Sequence, residues 1–490
     1  MASASHRFYN DVSLRGPVPG RLLVRLSDAT SPEPDIAARL REVAAHHAGA
    51  FFSPDAVSFA YAQSFAWLAP LSHEEDGRHV AGALFDAWSR RYGPYEPKAW
   101  TPRLAAARCE PMLRHAPLLL EGRDGPGRER VYAALIRQTR HLARAARRGE
   151  GRPDAARLTM LVRFGLAALA LPLASKEEQV AKGALEGALS SLAGGALPTG
   201  LRDTARALEL ATALTALGEA YAARGLSAPA ALPEATAVLR LLIGGLDAGC
   251  GLAVLPGGTE ETARAVEAVR PLRREEGQDV LRRYGYAAAR HEGTALHVEL
   301  GQGAGDAGGA FCLTDGRHRI VTAAGAPSRA LRSLDRDQAR WAEALSVPAA
   351  AATLDAEGYG PATLERETSL GGTLLSLDRA GPQGRAPHQR RLYLEADGGA
   401  LIGEDACEAD AVYRFPLHPG IVVRPAETRP DGGTRLSLML PSGRSWRFET
   451  ASAGVAIEDG LYSGGAAPHS TRQIVARSER PGLRWAFRQV

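Results

Sequence analysis

The stretch YGYAAARHEGTALHVEL, residues 284–300, decides how the chain is read. In its second half Leu296, Val298 and Leu300 alternate with Ala295, His297 and Glu299. Successive side chains of a strand point to opposite faces, so the alternation predicts a strand with one apolar face. The pair Glu292-Gly293 separates two such runs, 284–290 and 294–300, at the spacing of a tight hairpin turn.

Upstream the period is that of a helix. Leu185, Leu189 and Leu192 fall at i, i+4 and i+7 and make one apolar face. Their helix is predicted to start at Ser175, with Glu178 three residues on as in a capping box. Leu210, Leu214, Leu217 and Tyr221 repeat the pattern, and Gly225 is read as the stop. Residues 128–148 carry Val131, Leu135 and Leu142 on one side and a basic opposite side. Residues 158–173, apolar except for Arg163 and ended by Pro172, read as a buried helix. The loops GRDGPG (122–127) and RGEGRP (148–153) are short, and helices joined in this way pack antiparallel, as in bundles and toroids.

Downstream the short period persists. Leu392 and Leu394 precede a turn at Asp397-Gly398, and Tyr413, Phe415 and Leu417 alternate. Leu436, Leu438 and Leu440 are followed, across Pro441-Ser442-Gly443, by Trp446 and Phe448. Residues 472–476 and 483–487 close the chain as strands. Many short strands separated by turns predict a sandwich. The fold class is therefore multidomain α+β. Residues 1–35 are read as an extended entry with a short strand at 21–26, residues 36–270 as a toroid-like helical domain, and residues 282–490 as an antiparallel β-sandwich. Segment 326–352, rich in Ala and Asp, is expected to cross the surface irregularly.

With 490 residues and 45% hydrophobic content the chain can fill more than one core. Its 59 Lys and Arg against 55 Asp and Glu leave a net charge of +4, too small for a nucleic-acid footprint. Nearly all the cations are arginine, whose guanidinium grips carboxylate and sulfate with two hydrogen bonds. Cys109, Cys250, Cys312 and Cys407 are scattered, without a CxxC pair, and read as free thiols. No apolar run reaches the roughly 18 residues of a membrane span, and the N-terminus lacks a leader pattern, so a cytoplasmic location is expected.

Several strings carry a family resemblance. RRLYLEADGGALIGEDAC (390–407), YRFPLHPGIVV (413–423), LMLPSGRSWRFE (438–449), STRQIVAR (470–477) and LRWAF (483–487) lie in the sandwich half. SFAWLAPL (64–71), HAPLLLEG (115–122) and IRQTRHLARA (136–145) lie in the helical half. In this order they resemble the heparinase II/III-like polysaccharide lyases. The resemblance implies a helical toroid followed by a β-sandwich, β-elimination on an acidic polysaccharide or oligosaccharide, no cofactor, and a periplasmic or cell-envelope setting as the alternative to the cytoplasm. Such chemistry needs a base for the proton beside the carboxylate and a His, Asn or Arg to neutralise that carboxylate. The family's Gly-Gly-His-x-Glu-Arg-Ser-Pro-like loop falls at LPTGLRDTARALELATAL (197–214), where Arg202, Thr204 and Leu210 stand in for His, Glu and His. Its His-x-His-Ala-like loop falls at GQGAGDAGGAFCL (301–313), with Gly303 and Gly305 at the imidazole positions, and a third His stretch falls at 345–354. The His that often precedes the Trp67 motif is Gln63. By the resemblance, Arg202, Gln63 and Trp67 line the substrate cleft; because the family's His and Glu positions are replaced, no catalytic residue is assigned and activity is expected to be weak or absent. The alternative is a non-catalytic protein that binds glycan or a protein partner.

Other motifs add little. His46, His47, His73 and His79 lack metal-ligand spacing, Glu74-Glu75-Asp76 reads as a solvated acidic loop, and His297 and His318 read as exposed. His418, inside FPLHPG, is read as holding its loop by hydrogen bonds, with metal ligation as the alternative. The glycines at 193–195, 243–246 and 255–258 lack a Walker lysine and read as helix-ending turns. The aromatics Tyr61, Trp67, Trp88, Tyr92, Tyr95 and Trp100 suit either a glycan platform or a core.

Overall fold

The protein is described from a computed structural model. It covers residues 12–490 except 28–31, 150–153, 174, 196–197, 199, 261–262, 274–276, 302–307, 327–328, 335–352, 355–358, 382–385, 408–410, 425–426, 429–431, 452–453, 466–467 and 479–480.

The helical half contains α1 (Pro34–Glu42), α2 (Phe59–Ser64), α3 (Gly77–Tyr92), α4 (Pro102–Arg114), α5 (Gly125–Arg147), α6 (Ala155–Ala170), α7 (Ser175–Ala193), α8 (Thr204–Ala223) and α9 (Leu232–Leu246), with shorter turns between them. Local chemistry sets their ends. Thr101, Asp124, Asp154 and Asp203 each accept the backbone N–H three residues on, capping α4, α5, α6 and α8. Gly195 and Gly225, with φ of 84° and 60°, follow the ends of α7 and α8. The apolar α6 is buried on nearly all sides and packs against α4, α5, α7 and α8.

Short connections reverse each helix on the last. One rim of the helical half thus gathers the C-terminal ends of α3, α5, α7 and α9 with the N-terminal ends of α4, α6 and α8. The ring of His141 in α5 meets Tyr95 and Trp100 of the α3–α4 connection on that side. On the opposite rim Arg123 pairs with Asp86 at 2.9 Å, and Arg224 after α8 pairs with Glu178 at the start of α7 at 3.1 Å.

The last helix before the strands is α10 (Gly277–Tyr284), and β1 starts at Tyr286. β1 (Tyr286–His291), β2 (Thr294–Glu299), β3 (Phe311–Asp315) and β4 (His318–Val321) form an antiparallel sheet in chain order. Glu292 and Gly293 have φ of 43° and 89°, the two positive values of a type I′ hairpin, where the motif placed it. After β5 (Thr353–Leu354) come β6 (Ala362–Ser369), β7 (Gly372–Arg379), β8 (His388–Glu395), β9 (Ala400–Ala406), β10 (Ala411–Pro416), β11 (Val422–Val423), β12 (Glu427–Thr428), β13 (Thr434–Met439), β14 (Ser445–Thr450), β15 (Gly454–Tyr462), β16 (His469–Ser478) and β17 (Leu483–Gln489). One large antiparallel sheet runs β11-β13-β14-β17-β9-β8-β7-β6, and a smaller one runs β15-β16-β10-β5.

The β1–β4 sheet is a middle layer. Ala287, Ala289, Leu296, Val298, Phe311 and Leu313 join the sandwich core, with Leu392, Phe415, Trp446 and Trp485. Tyr286, Ala288 and Cys312 on the other face join the core of the helical half. His297, aligned between Ala288 and Cys312, is therefore fully buried rather than exposed. Its strand alternates, but helices cover the face that alternation alone assigns to water.

Three further readings change. Residues 21–26 form no strand: Leu23 donates its N–H to Ala170 while Val24 and Leu26 are buried, so the segment is held by packing, not by a ladder. In segment 326–352 the described part includes α11 (Arg329–Leu334), which returns to α1 and α2 and buries Leu334 in the helical core. Residues 335–352 lie outside the described set. Of the glycine stretches, 243–246 closes α9 at Leu246 and also packs tightly, since a Cβ would stand 2.2 Å from the Leu272 carbonyl oxygen at Gly244 and 2.7 Å from Leu281 at Gly245, whereas 255–258 ends no helix and turns within the connection to the strands.

Candidate functional site

The seam where the helical half meets the middle sheet brings the chemistry together. Arg202 immediately precedes the capping residue of α8 and is half-buried. Its guanidinium lies over Gly285, where a Cβ would stand 1.6 Å from Nη2, and Nη2 donates to the Gly301 carbonyl at 3.4 Å. Gly285 (φ 81°) thus makes the room that Arg202 occupies. The Tyr286 hydroxyl donates to the Arg202 carbonyl at 2.5 Å. Burial, reinforced by Glu299, raises the Tyr286 pKa well above the usual phenol range. Of the other aligned positions, Thr204 and Leu210 are buried in α8. Gly303, Gly305 and most of 345–354 lie outside the described residues.

A second group on the seam centres on Glu260. Its Oε1 accepts from Tyr462 Oη at 2.7 Å, His418 Nε2 at 3.0 Å and Arg319 Nη1 at 3.2 Å. Its own N–H donates to Gly464 at 2.7 Å, and Arg319 Nη2 holds the Leu252 carbonyl at 3.0 Å. Burial works against the charge on Glu260, yet His418, Arg319 and Tyr462 outweigh it and hold the pKa at about 2. Tyr462 is pushed the other way, by burial and by the Glu260 charge. His418 Nδ1 accepts the Gly420 N–H at 3.2 Å, which assigns the ring proton to Nε2. Both nitrogens are engaged and neither is open to a metal. Among the described residues no set of three or more His, Cys, Asp and Glu side chains could hold one. The loop-holding role read for His418 extends across the seam, to a carboxylate 158 residues away.

A third contact locks the end of α9. Arg290 of β1 donates Nη2 to the carbonyls of Gly245, at 2.8 Å, and Asp247, capping the helix C-terminus, and contacts His297 Nε2 at 2.9 Å. Burial and then Arg290 lower the His297 pKa, so the ring is neutral and enclosed.

Gln63 and Trp67 lie elsewhere. Both are 0% exposed, in the interior of the helical half, so neither side chain lines an open cleft. Trp67 Nε1 donates to Ala62, and Gln63 Oε1 accepts from Trp88 Nε1 and Arg108 Nη1. Tyr61, Trp88, Tyr92 and Trp100 are buried with them while Tyr95 is half-buried, so this aromatic cluster is core. His46, His47, His73 and His79 are exposed. Glu74 and Asp76 pair with Arg41 and, with His79, Asp86 and Glu121, line an open cavity of about 1020 Å³ on the rim away from the sandwich.

Sequence reading missed Glu260, Arg319, Tyr462 and Arg290. The first three meet only through tertiary structure, and Arg290 sits on a strand whose helix-facing side no local pattern reveals.

Residues 274–486 match the family described as heparinase II/III-like, C-terminal. No curated relative matches the sequence. The chain is similar in structure to heparinase III, with a TM-score of 0.64 at 10% identity over 99% of this chain and 90% of that one. It is similar also to a mutant of the heparan sulfate lyase HepC from Pedobacter heparinus, with a TM-score of 0.54 at 10% identity over 99% and 87%. At that identity the likeness is one of fold.

Proposed function

Because residues 274–486 form a heparinase II/III-like C-terminal domain, on a chain with the heparinase III fold, we propose that the protein binds an acidic polysaccharide on the helical rim beside the sandwich and eliminates it weakly or not at all. The charge on that rim carries the reading. Its connections contribute Arg90, Arg91, Lys98 and Arg103, then Arg144, Arg147, Arg148 and Arg157, then Arg202 and Arg206. The described acids there are Glu96, Asp154, Asp203 and, at the end of α9, Asp247; Asp154 and Asp203 serve as helix caps and Asp247 pairs with Arg273. The opposite rim is close to balance, with Glu74, Glu75, Asp76, Glu121, Asp124, Glu177 and Glu178 set against Arg78, Arg114, Arg123, Arg128, Lys176 and Arg224. A polyanion is drawn to the first rim and finds no comparable excess of cations at the second. Arg202, half-buried at the seam, is the cation placed to take a uronate carboxylate.

The weakness of elimination follows from the bases. Tyr286 and Tyr462 hold their protons too tightly, His297 is enclosed, and His418 has both nitrogens committed. A missing general base costs about 10²–10⁴-fold in rate. The test is ultraviolet absorbance of the unsaturated uronate product, against a panel of uronate polysaccharides, with binding measured in parallel by calorimetric titration. Binding that weakens with salt, and by about two- to fivefold in each of Arg91→Glu and Arg147→Glu, with negligible turnover, is expected. Turnover on the order of 1–10³ per second would overturn the weak-elimination reading. Absence of binding to every acidic polysaccharide would overturn the binding reading.

A further inference from the structure

Arg108 lies in α4 and is 0% exposed. Its Nε donates to Gln138 Oε1 at 2.6 Å, its Nη1 to Gln63 Oε1 at 2.7 Å and to the Gln63 carbonyl at 3.2 Å, and its Nη2 to the Ala99 carbonyl at 2.9 Å. The guanidinium carbon sits 5.0 Å from the Trp88 ring centre. Every one of these acceptors is neutral. Glu110, two residues on, is held by Arg114 and Arg163 at 2.8 Å each. Among the described residues no carboxylate pairs with Arg108. A guanidinium stays protonated in a protein, and a buried charge without a counter-charge is strongly disfavoured. Burial accordingly lowers the Arg108 pKa to about 9.

Gln63 supplies the second half of the argument. Its Oε1 already accepts from Arg108 and from Trp88 Nε1 at 3.0 Å, which fixes the orientation of the carboxamide. Its Nε2, fully enclosed, is left without a partner. The second N–H of Arg108 Nη2 also lacks one among the described residues. The interior therefore presents unmet donors around an uncompensated positive charge, and what answers both is an acceptor that is itself negative and carries no donor. We propose that the core of the helical half, between α2, α3, α4 and α5, binds a small monatomic anion of the halide class, held by Gln63 Nε2 and the Arg108 guanidinium. A water would satisfy the amide but leave the charge.

Crystals of the full chain grown with bromide in place of chloride test this on the unaltered protein. An anomalous peak is expected within hydrogen-bond distance of both Gln63 Nε2 and Arg108 Nη2. In solution, unfolding in chloride against gluconate at constant ionic strength should show the folding equilibrium constant rising about tenfold per tenfold chloride above its Kd. Gln63→Met should flatten that dependence, and if the variant does not fold, the wild-type crystal still decides. A site without anomalous signal, together with unfolding indifferent to halide, would overturn the proposal.

Discussion

Glu260 shows how much one carboxylate can organise. Three donors on separate sandwich segments converge on it from a linker that belongs to the helical half. Glu260→Gln keeps the shape and removes the charge, and should cost about 2 kcal/mol in urea unfolding, the range of charge-assisted hydrogen bonds. The pH dependence has a definite sign. Because the folded pKa is held down, Glu260 contributes stability that is full above the unfolded carboxylate value of about 4.3 and is lost as pH falls toward about 2. Glu110, enclosed by Arg163 and Arg114 and likewise held at about 2 against its burial, acts in the same window. The loss of wild-type stability from pH 4.5 down to about 2 should therefore become shallower, not vanish, in Glu260→Gln. An unchanged slope would show that the hub carries no net linkage. Beyond the hydrogen-bonding role read for His418 the hub was not legible in the sequence, since Tyr462 lies 202 residues from Glu260 and no local period connects them. The motif that singled out Arg202 gave no hint of its place over Gly285, and Gln63 and Trp67 were given the wrong surroundings, since a string does not say which side of a helix faces in.

At the scale of elements the periods read true. The hairpin at Glu292-Gly293, the stop at Gly225 and the strands around Trp446 all follow from local chemistry that the folded chain keeps. What failed was the assumption that an alternating strand has one wet face, because the middle sheet is covered on both. Glycine needs the same tertiary knowledge. Gly244 and Gly218 are both helical, yet a Cβ on Gly244 would meet the Leu272 carbonyl while one on Gly218 meets nothing within 4 Å. Gly244→Ala should destabilise by about 1–3 kcal/mol through overpacking. Gly218→Ala should stabilise by about 0.5–1 kcal/mol, as in an ordinary helix interior. Urea midpoints of the two variants should move in opposite directions, and movement the same way would refute the close approach of α9 to residue 272.

Across the whole molecule, the two halves were foreseen, but not how they are joined. Arg290 caps a helix of the other half, α11 crosses back to α1 and α2, and the β1–β4 sheet lends one face to each core. That shared wall has a thermal consequence. Melting either half alone would strip apolar surface from a sheet the other half still needs, so the energetic cost of a half-folded chain is high. Scanning calorimetry should therefore record a single endotherm, with a van't Hoff enthalpy equal to the calorimetric one, despite a length at which chains commonly melt in stages. Two resolved peaks would mean that the wall belongs to one half only. A chain that melts as one body also keeps the arginine rim and the sandwich in fixed register up to the temperature at which both are lost together.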